Sequence, residues 1–273
     1  MRTQGASFRE ESGPSETYIR ALARGLAVIR AFGADASSMT LSQVAERTGL
    51  TRASARRILL TLEQMGYVRS KERRFFLTAR ILDLGFAYLS SQSLAQIAQP
   101  VIEDLASRIQ GRCNVAVLDG SDIIYIMRVA LKGEHEAYPM VNIGRRFPAY
   151  ATAMGRVLLG TLAPDDLDRA LGNAAALTPH TITDPNALRA IIAADRRNGW
   201  SFVRQEQAEV TCSIGVPLRD RSGAISAALG TGWFPRTPAE DEQRRAEVLP
   251  ELLSAATEID VAMIQGHYDG GMT

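Results

Sequence analysis

Along residues 40–78, TLSQVAERTGLTRASARRILLTLEQMGYVRSKERRFFLT, the spacing of apolar positions changes from helical to alternating. Leu41, Val44 and Ala45 share one face of a short helix predicted over 42–47. Gly49 ends it, because glycine accepts the left-handed backbone of a helix stop. Thr51 opens a second helix, its side-chain oxygen placed to take an orphan N–H of the first turn. At about 100° per residue, Ala55, Ile58, Leu59, Leu62 and Met65 gather on one side of that helix, and Ala53 and Arg57 fall opposite with Arg52 and Arg56 on the flank. The alternation that follows predicts a hairpin over 67–70 and 75–78, with Lys71, Arg73 and Arg74 around its turn. Upstream, residues 16–32 read as a helix with Ile19, Leu22, Ala23, Leu26 and Ile29 as its buried stripe. Three helices and a basic-tipped hairpin make a winged helix-turn-helix.

The pattern then changes. Residues 79–92 are apolar on several sides (Leu82, Phe86 and Leu89 at helical spacing, with Ile81, Leu84 and Tyr88 elsewhere), as suits a linker helix that also pairs with a second subunit, burial entirely within one subunit being the alternative. An amphipathic helix follows through Leu94, Ile97, Ala98, Val101, Ile102, Leu105 and Ile109, with Pro100 expected to kink or restart it. A hairpin is predicted over 113–118 and 122–129 around Asp119-Gly120. A strand is expected near 137–143, then a loop GRRFPAY. Helices are expected over 151–162, after Pro164, and from Asp184-Pro185 to Gly199. Strands over 200–205, 213–219 and 224–230 and a long helix over 238–265 complete the chain. Helices and strands mix without strict alternation, which predicts an α+β fold with a largely antiparallel sheet. The expected divisions are a disordered tail over 1–15, the winged helix-turn-helix over 16–78, the linker and dimerisation helix over 79–92, and a ligand-binding domain over 93–273.

Charge separates the two parts. Residues 1–90 hold 14 Lys and Arg against 8 Asp and Glu, whereas residues 91–273 hold 17 against 22, so the formal net charge of +1 conceals a basic front and an acidic back. A polyanion partner is therefore expected for the front alone. A recognition helix puts its N-terminal half in the major groove, where arginine suits guanine and a small residue permits close approach. The positions expected to meet double-stranded DNA are Thr40, Thr51, Arg52, Ala53, Ser54, Arg56, Arg57, Lys71, Arg73 and Arg74. A solvated basic helix and an ordinary hairpin are the alternative.

Cys113 and Cys212 lie far apart and His135, His180 and His267 stand singly, so no metal motif and no disulfide framework are expected. No apolar run reaches 18 residues and the first residues lack a signal-peptide core, so a cytoplasmic protein is expected. No nucleophile elbow, zincin or phosphate-loop string is present. LGTGWFP at 229–235 lacks the third glycine of a dinucleotide loop. No enzyme, metal or cofactor is expected; an enzyme with an accessory DNA-binding domain and a protein-only adaptor are the competing classes.

The stretches ARGLAVIRAF, TLSQVAERTGLTRASARRILLTLEQMGYV, FFLTARILDLGFAYLSS, IAQPVIEDLA, LDGSDIIYIMRV and RRFPAYATAMGRVLLGTL together resemble the IclR family of bacterial transcriptional regulators. The chain looks closest to the branch that controls aromatic-acid catabolism by the β-ketoadipate route, with protocatechuate and 4-hydroxybenzoate regulators. The resemblance implies an N-terminal winged helix-turn-helix, a linker helix and a C-terminal GAF-like or profilin-like α+β effector-binding domain. It further implies a homodimer or dimer of dimers answering to a small organic acid effector, with a non-aromatic acid as the alternative. Carried over residue by residue, it places the effector against Ala153, Met154, Gly155, Glu206, Ser213, Ile214, Gly230 and Gly232. A helix start near 151–155 would suit a carboxylate, and Gly230 and Gly232 would leave volume beside it, although paired glycines also mark bulges or close backbone contact. Relatives read like DQELEEGLRSIAVPVRD where this chain has RQEQAEVTCSIGVPLRD. Arg204 thus stands for aspartate, as an expected anion-binding residue of the effector site or an idle surface arginine, and Cys212 stands for arginine.

Overall fold

The structure is a computed structural model that describes residues 17–33, 36–85, 93–130 and 142–265. The chain divides into two compact units, Met1–Tyr88 and Leu89–Thr273.

In the first unit, α1 (Arg20–Arg30), α2 (Leu41–Thr48) and α3 (Arg52–Gln64) enclose Val28, Phe32, Val44, Ala45, Ala55, Leu59 and Leu62. The start and stop signals act as their chemistry demands. Thr40 and Gln43 form a reciprocal capping box on α2, Gly49 ends it at φ +66°, and Thr51 accepts the Ser54 N–H at 3.2 Å. Arg47 donates to the Ala31 carbonyl at 3.0 Å, tying α2 to the end of α1. A three-stranded antiparallel sheet, ordered β1 (Met39–Thr40), β3 (Arg74–Leu77), β2 (Val68–Lys71), forms the wing. Its turn is only Glu72 and Arg73, both at positive φ, which matches the twist of the paired strands.

Two expectations for this unit change. α1 begins at Arg20, and its presumed buried stripe is largely uncovered within this chain: Ile19 is 66% and Leu22 62% exposed, while Val28 near the other end is fully buried. Spacing defines a stripe but does not say what covers it. Met65, assigned to the inner face of α3, is exposed because it is the C-cap, where the helical period stops. A 3-10 turn, Ala79–Ile81, leads to exposed Leu82 and Leu84; Phe86, Tyr88 and Leu89 lie outside the described residues, as does the 1–15 segment.

The second unit is a six-stranded antiparallel sheet with helices on both faces. Its order is β6 (Arg146–Pro148), β5 (Asp122–Val129), β4 (Cys113–Asp119), β9 (Ile225–Trp233), β8 (Cys212–Arg219), β7 (Ser201–Arg204). On one face α4 (Ser93–Arg108) and the long α8 (Pro238–Gln265) cover Cys113, Val115, Met127, Ile214, Val216 and Leu229. On the other, α5 (Ala153–Leu159), α6 (Pro164–Leu171) and α7 (Pro185–Asn198) build a second cluster with Ala116, Ile123 and Ala228. α4 does not restart at Pro100 but runs through it as one helix. That ring sits on the exposed face, where water can serve the carbonyl deprived of its N–H partner.

The segment read as the loop GRRFPAY contains β6 and a 3-10 turn, Ala149–Ala151. Pro148 is tolerated there because an edge strand pairs on one side only. The strand expected over 137–143 lies mostly outside the described residues, and Asn142 and Ile143 are not in a strand. The helix expected over 151–162 is shorter, Ala153–Leu159, with Thr152 as its cap.

Candidate functional site

The first candidate surface is the start of α3. Thr51, Arg52, Ala53, Arg56 and Arg57 are exposed, while Ala55, Leu59 and Leu62 on the other side are buried in the core. Lys71 and Arg73 are exposed at the wing tip. Four of the expected residues are already engaged in bonds within the unit. Thr40 and Thr51 use their hydroxyls in capping, Thr51 also bonding the half-buried Ser54 hydroxyl at 3.0 Å. Arg74 donates from Nε to the Ser38 hydroxyl and from Nη2 to its carbonyl, each at 2.9 Å, so it anchors the wing from within. Glu63 fixes the wing to α3, accepting from the Ser70 N–H at 2.8 Å and its hydroxyl at 2.6 Å. Arg69 lies over the Phe76 ring, 4.4 Å from its centroid. The result is a braced platform with cations on its outer side.

The second is a cavity in the other unit, between the start of α5 and the sheet. Its interior leaves about 50 Å³ for water-sized occupants, and it opens to solvent. Of the residues expected around an effector, Ala153, Met154, Ser213, Ile214 and Gly232 line it. The Ile214 side chain belongs to the apolar cluster on the opposite face. Gly155, Gly230, Glu206 and Arg204 do not line it, and each has a visible reason.

A Cβ on Gly155 would collide with the Ala149 carbonyl. One on Gly230 would lie 2.7 Å from the Ile214 carbonyl and 2.8 Å from Met154 Cγ, so this glycine lets α5 settle on the sheet. Glu206 is buried in an ion pair with Arg156 at 2.6 Å, and its carboxylate also accepts the Ile182 N–H at 3.1 Å. Arg156 donates in addition to the Tyr150 carbonyl at 2.8 Å. This pair holds the loop after β7, whose Gln207 and Thr211 do line the cavity.

Arg204, expected to be available to an anion, is instead bound to Asp241 at 2.9 Å and to the Arg236 carbonyl at 2.9 Å. Arg204 thus has an acidic partner 37 positions away in the chain. Asp241 also accepts from Trp233 Nε1, from the Arg236 N–H and from Cys212 Sγ. Burial pushes its carboxyl up, but these donors outweigh burial and hold it below the usual carboxylate range. The Cys212 thiol is pushed up to about 12, first by burial and then by the Asp241 charge, so it stays protonated and unreactive.

Arg112, Asn114, Tyr125, Phe147, Thr152, Gln207, Thr211 and Thr231 complete the wall and were not anticipated. Arg112 is buried, and a Cβ on Gly232 would stand 2.9 Å from its Nη2, so that glycine makes room for the guanidinium. Burial raises the Tyr125 phenol to about 12, although the Arg112 and Arg128 charges pull the other way. The expected free N–H groups at the start of α5 are reduced by one, since Thr152 takes the Gly155 N–H at 3.1 Å. One signal was legible: Arg112 and Asn114 are polar within a stretch otherwise fit for a core strand. The cavity combines a buried cation with aromatic and thioether walls, a setting for a small anion with an apolar body.

A winged helix-turn-helix joined to a helix-flanked sheet with such a cavity defines a ligand-responsive DNA-binding regulator. The family model for the IclR helix-turn-helix domain matches residues 21–72, and that for the bacterial transcriptional regulator IclR C-terminal domain matches residues 86–261. The chain is 40% identical over 246 residues to the Pca regulon regulatory protein of Pseudomonas putida, covering 89% of this chain and 83% of the relative. It is 33% identical over 256 residues to the p-hydroxybenzoate hydroxylase transcriptional activator of Acinetobacter baylyi, covering 90% and 92%. An IclR homolog from Microbacterium hydrocarbonoxydans, solved with 4-hydroxybenzoate, shares the fold at a TM-score of 0.76 and 24% identity over 89% of this chain and 98% of that one. The chain belongs to the IclR family of bacterial transcriptional regulators.

Proposed function

We propose that this regulator binds an operator through the outer side of α3 and the wing tip, and that its cavity senses an aromatic carboxylate such as 4-hydroxybenzoate or protocatechuate to control an aromatic catabolism operon. Arg52, Arg56 and Arg57 read bases or adjacent phosphates, and Lys71 and Arg73 hold the backbone. Thr40, Thr51, Ser54 and Arg74 keep the helix and wing in shape beside the duplex. Ile19, Leu22, Leu26, Leu82 and Leu84, exposed in the single chain, supply the apolar surface for pairing with a second copy. Paired subunits would set half-sites roughly 34 Å apart or a multiple of that. The protein acts in the cytoplasm, where its operator is, and it binds its effector without turning it over.

The observation that carries the effector reading is the buried Arg112 set among Tyr125, Phe147 and Met154. A carboxylate meets the guanidinium and a ring fills the apolar remainder. The relatives support the same class: one is a regulator of the Pca regulon, one an activator named for p-hydroxybenzoate hydroxylase, and the shared fold holds 4-hydroxybenzoate in the Microbacterium homolog. The test is a thermal-shift screen against hydroxybenzoates, catechol acids and small keto acids. Stabilisation by the aromatic acids alone is expected; a shift by keto acids only, or by none, would remove the aromatic reading.

A further inference from the structure

Resting on that reading of the cavity, we infer that Asn114 selects the effector, admitting acids that carry a ring hydroxyl and disfavouring the same acid without one. Asn114 sits on β4 with its side chain on the cavity side of the sheet, between its cross-strand neighbours Arg128 and Gly230. It is 4% exposed, it lines the cavity, and its Oδ1 is sealed from solvent with no hydrogen-bond partner in the structure. A buried acceptor left in that state costs stability until a donor reaches it.

The surroundings decide what the donor is. Arg112, two positions back on the same face, provides the positive charge for a carboxylate. Tyr125, Phe147 and Met154 give the ring its apolar walls. A hydroxyl on that ring is then the group that reaches Asn114 Oδ1 and donates its hydrogen to it. A ring that ends in C–H leaves the acceptor unpaired and displaces any water that could enter with it. Sites built around a ligand hydroxyl discriminate strongly against the analogue lacking it for this reason. The carboxylate and the hydroxyl are thus read by different residues of one strand.

The experiment is calorimetric titration of the full-length wild type, Asn114→Leu and Asn114→Asp with 4-hydroxybenzoate and with benzoate. The wild type is expected to favour 4-hydroxybenzoate by about tenfold or more. Asn114→Leu, close in volume and without an acceptor, should bring the ratio of the two Kd values near one while still binding benzoate. Asn114→Asp retains an acceptor and should keep the preference, with both acids weakened by the added negative charge. Equal wild-type affinities, or an unchanged ratio in Asn114→Leu, would overturn the inference and leave the aromatic reading standing. Failure of both acids to bind the wild type would remove both readings, whereas benzoate too weak to measure beside bound 4-hydroxybenzoate would support the inference. Should Asn114→Leu not fold, Asn114→Ala makes the same test: a ratio near one supports the inference and an unchanged ratio overturns it.

Discussion

Arginine does opposite work in the two units. On α3, Arg52, Arg56 and Arg57 stand exposed on a braced helix. In the sheet unit, Arg112 and Arg156 are buried, the second paired with Glu206 and the first beside an open cavity. An exposed guanidinium is screened by salt and suits a long polyanion met in many registers. A buried one has already been stripped of water, so the groups that match it must be fixed in place. The difference teaches where, on the proposed reading, each unit would derive its selectivity: from repeated shallow contacts in the first, from a single deep one in the second.

The largest effect that would sharpen this contrast is at the buried pair. Glu206→Ala leaves Arg156 without its carboxylate and should destabilise the sheet unit by about 3–5 kcal/mol in urea unfolding. Equal loss from Arg56→Ala would break the contrast, because an exposed arginine should leave stability nearly unchanged. On DNA the order reverses. Losing Arg52, Arg56 or Arg57 should cost about 1–3 kcal/mol of operator affinity and relax preference at one base position. Lys71→Ala should weaken all sequences alike and lower the salt slope by about one, measured by anisotropy across a salt series. Uniform weakening from all three arginines would reassign them to phosphates.

Close packing comes next in size. Gly230→Ala places a methyl against Met154 and the Ile214 carbonyl and should cost about 1–3 kcal/mol of sheet-unit stability, read by thermal melting. Gly49→Ala has open space around it, so any loss there reflects the left-handed backbone alone. The smallest effect is the pH dependence at Asp241. Its folded pKa is depressed, so its contribution is complete above the unfolded value of about 3.9 and is lost as pH falls through the folded value. Asp241→Asn should remove that part of the acid loss; an unchanged acid-unfolding curve would show that the donors around it do not favour the charged form.

Local chemistry was readable in the sequence. Thr51, Gly49, Asp119-Gly120, Asp184 and Gly199 announce turns and caps through their own side chains or backbones, and the elements they bound follow closely. Partners distant in sequence were not readable. The α1 stripe gave no sign of what covers it, and Arg204 gave no sign that Asp241 would lie beside it. The cavity was half legible for the same reason. Met154, Ser213 and Gly232 came from resemblance, whereas Arg112, Asn114 and Tyr125 meet only when β4 and β5 pair and curl toward α5. Glycine was the most misleading signal: Gly155, Gly230 and Gly232 each bring backbone close, and the last two also make room for the Met154 side chain and the Arg112 guanidinium, so none of them adds empty volume.

The division of labour between the two sets of arginines is tested most directly by one anisotropy experiment. Arg112→Met and wild-type protein are each titrated onto operator DNA, with and without saturating 4-hydroxybenzoate. Arg112→Met should bind DNA as tightly as the wild type yet no longer respond to the acid. A full response in Arg112→Met, or loss of its DNA binding while the protein remains folded, would contradict the account.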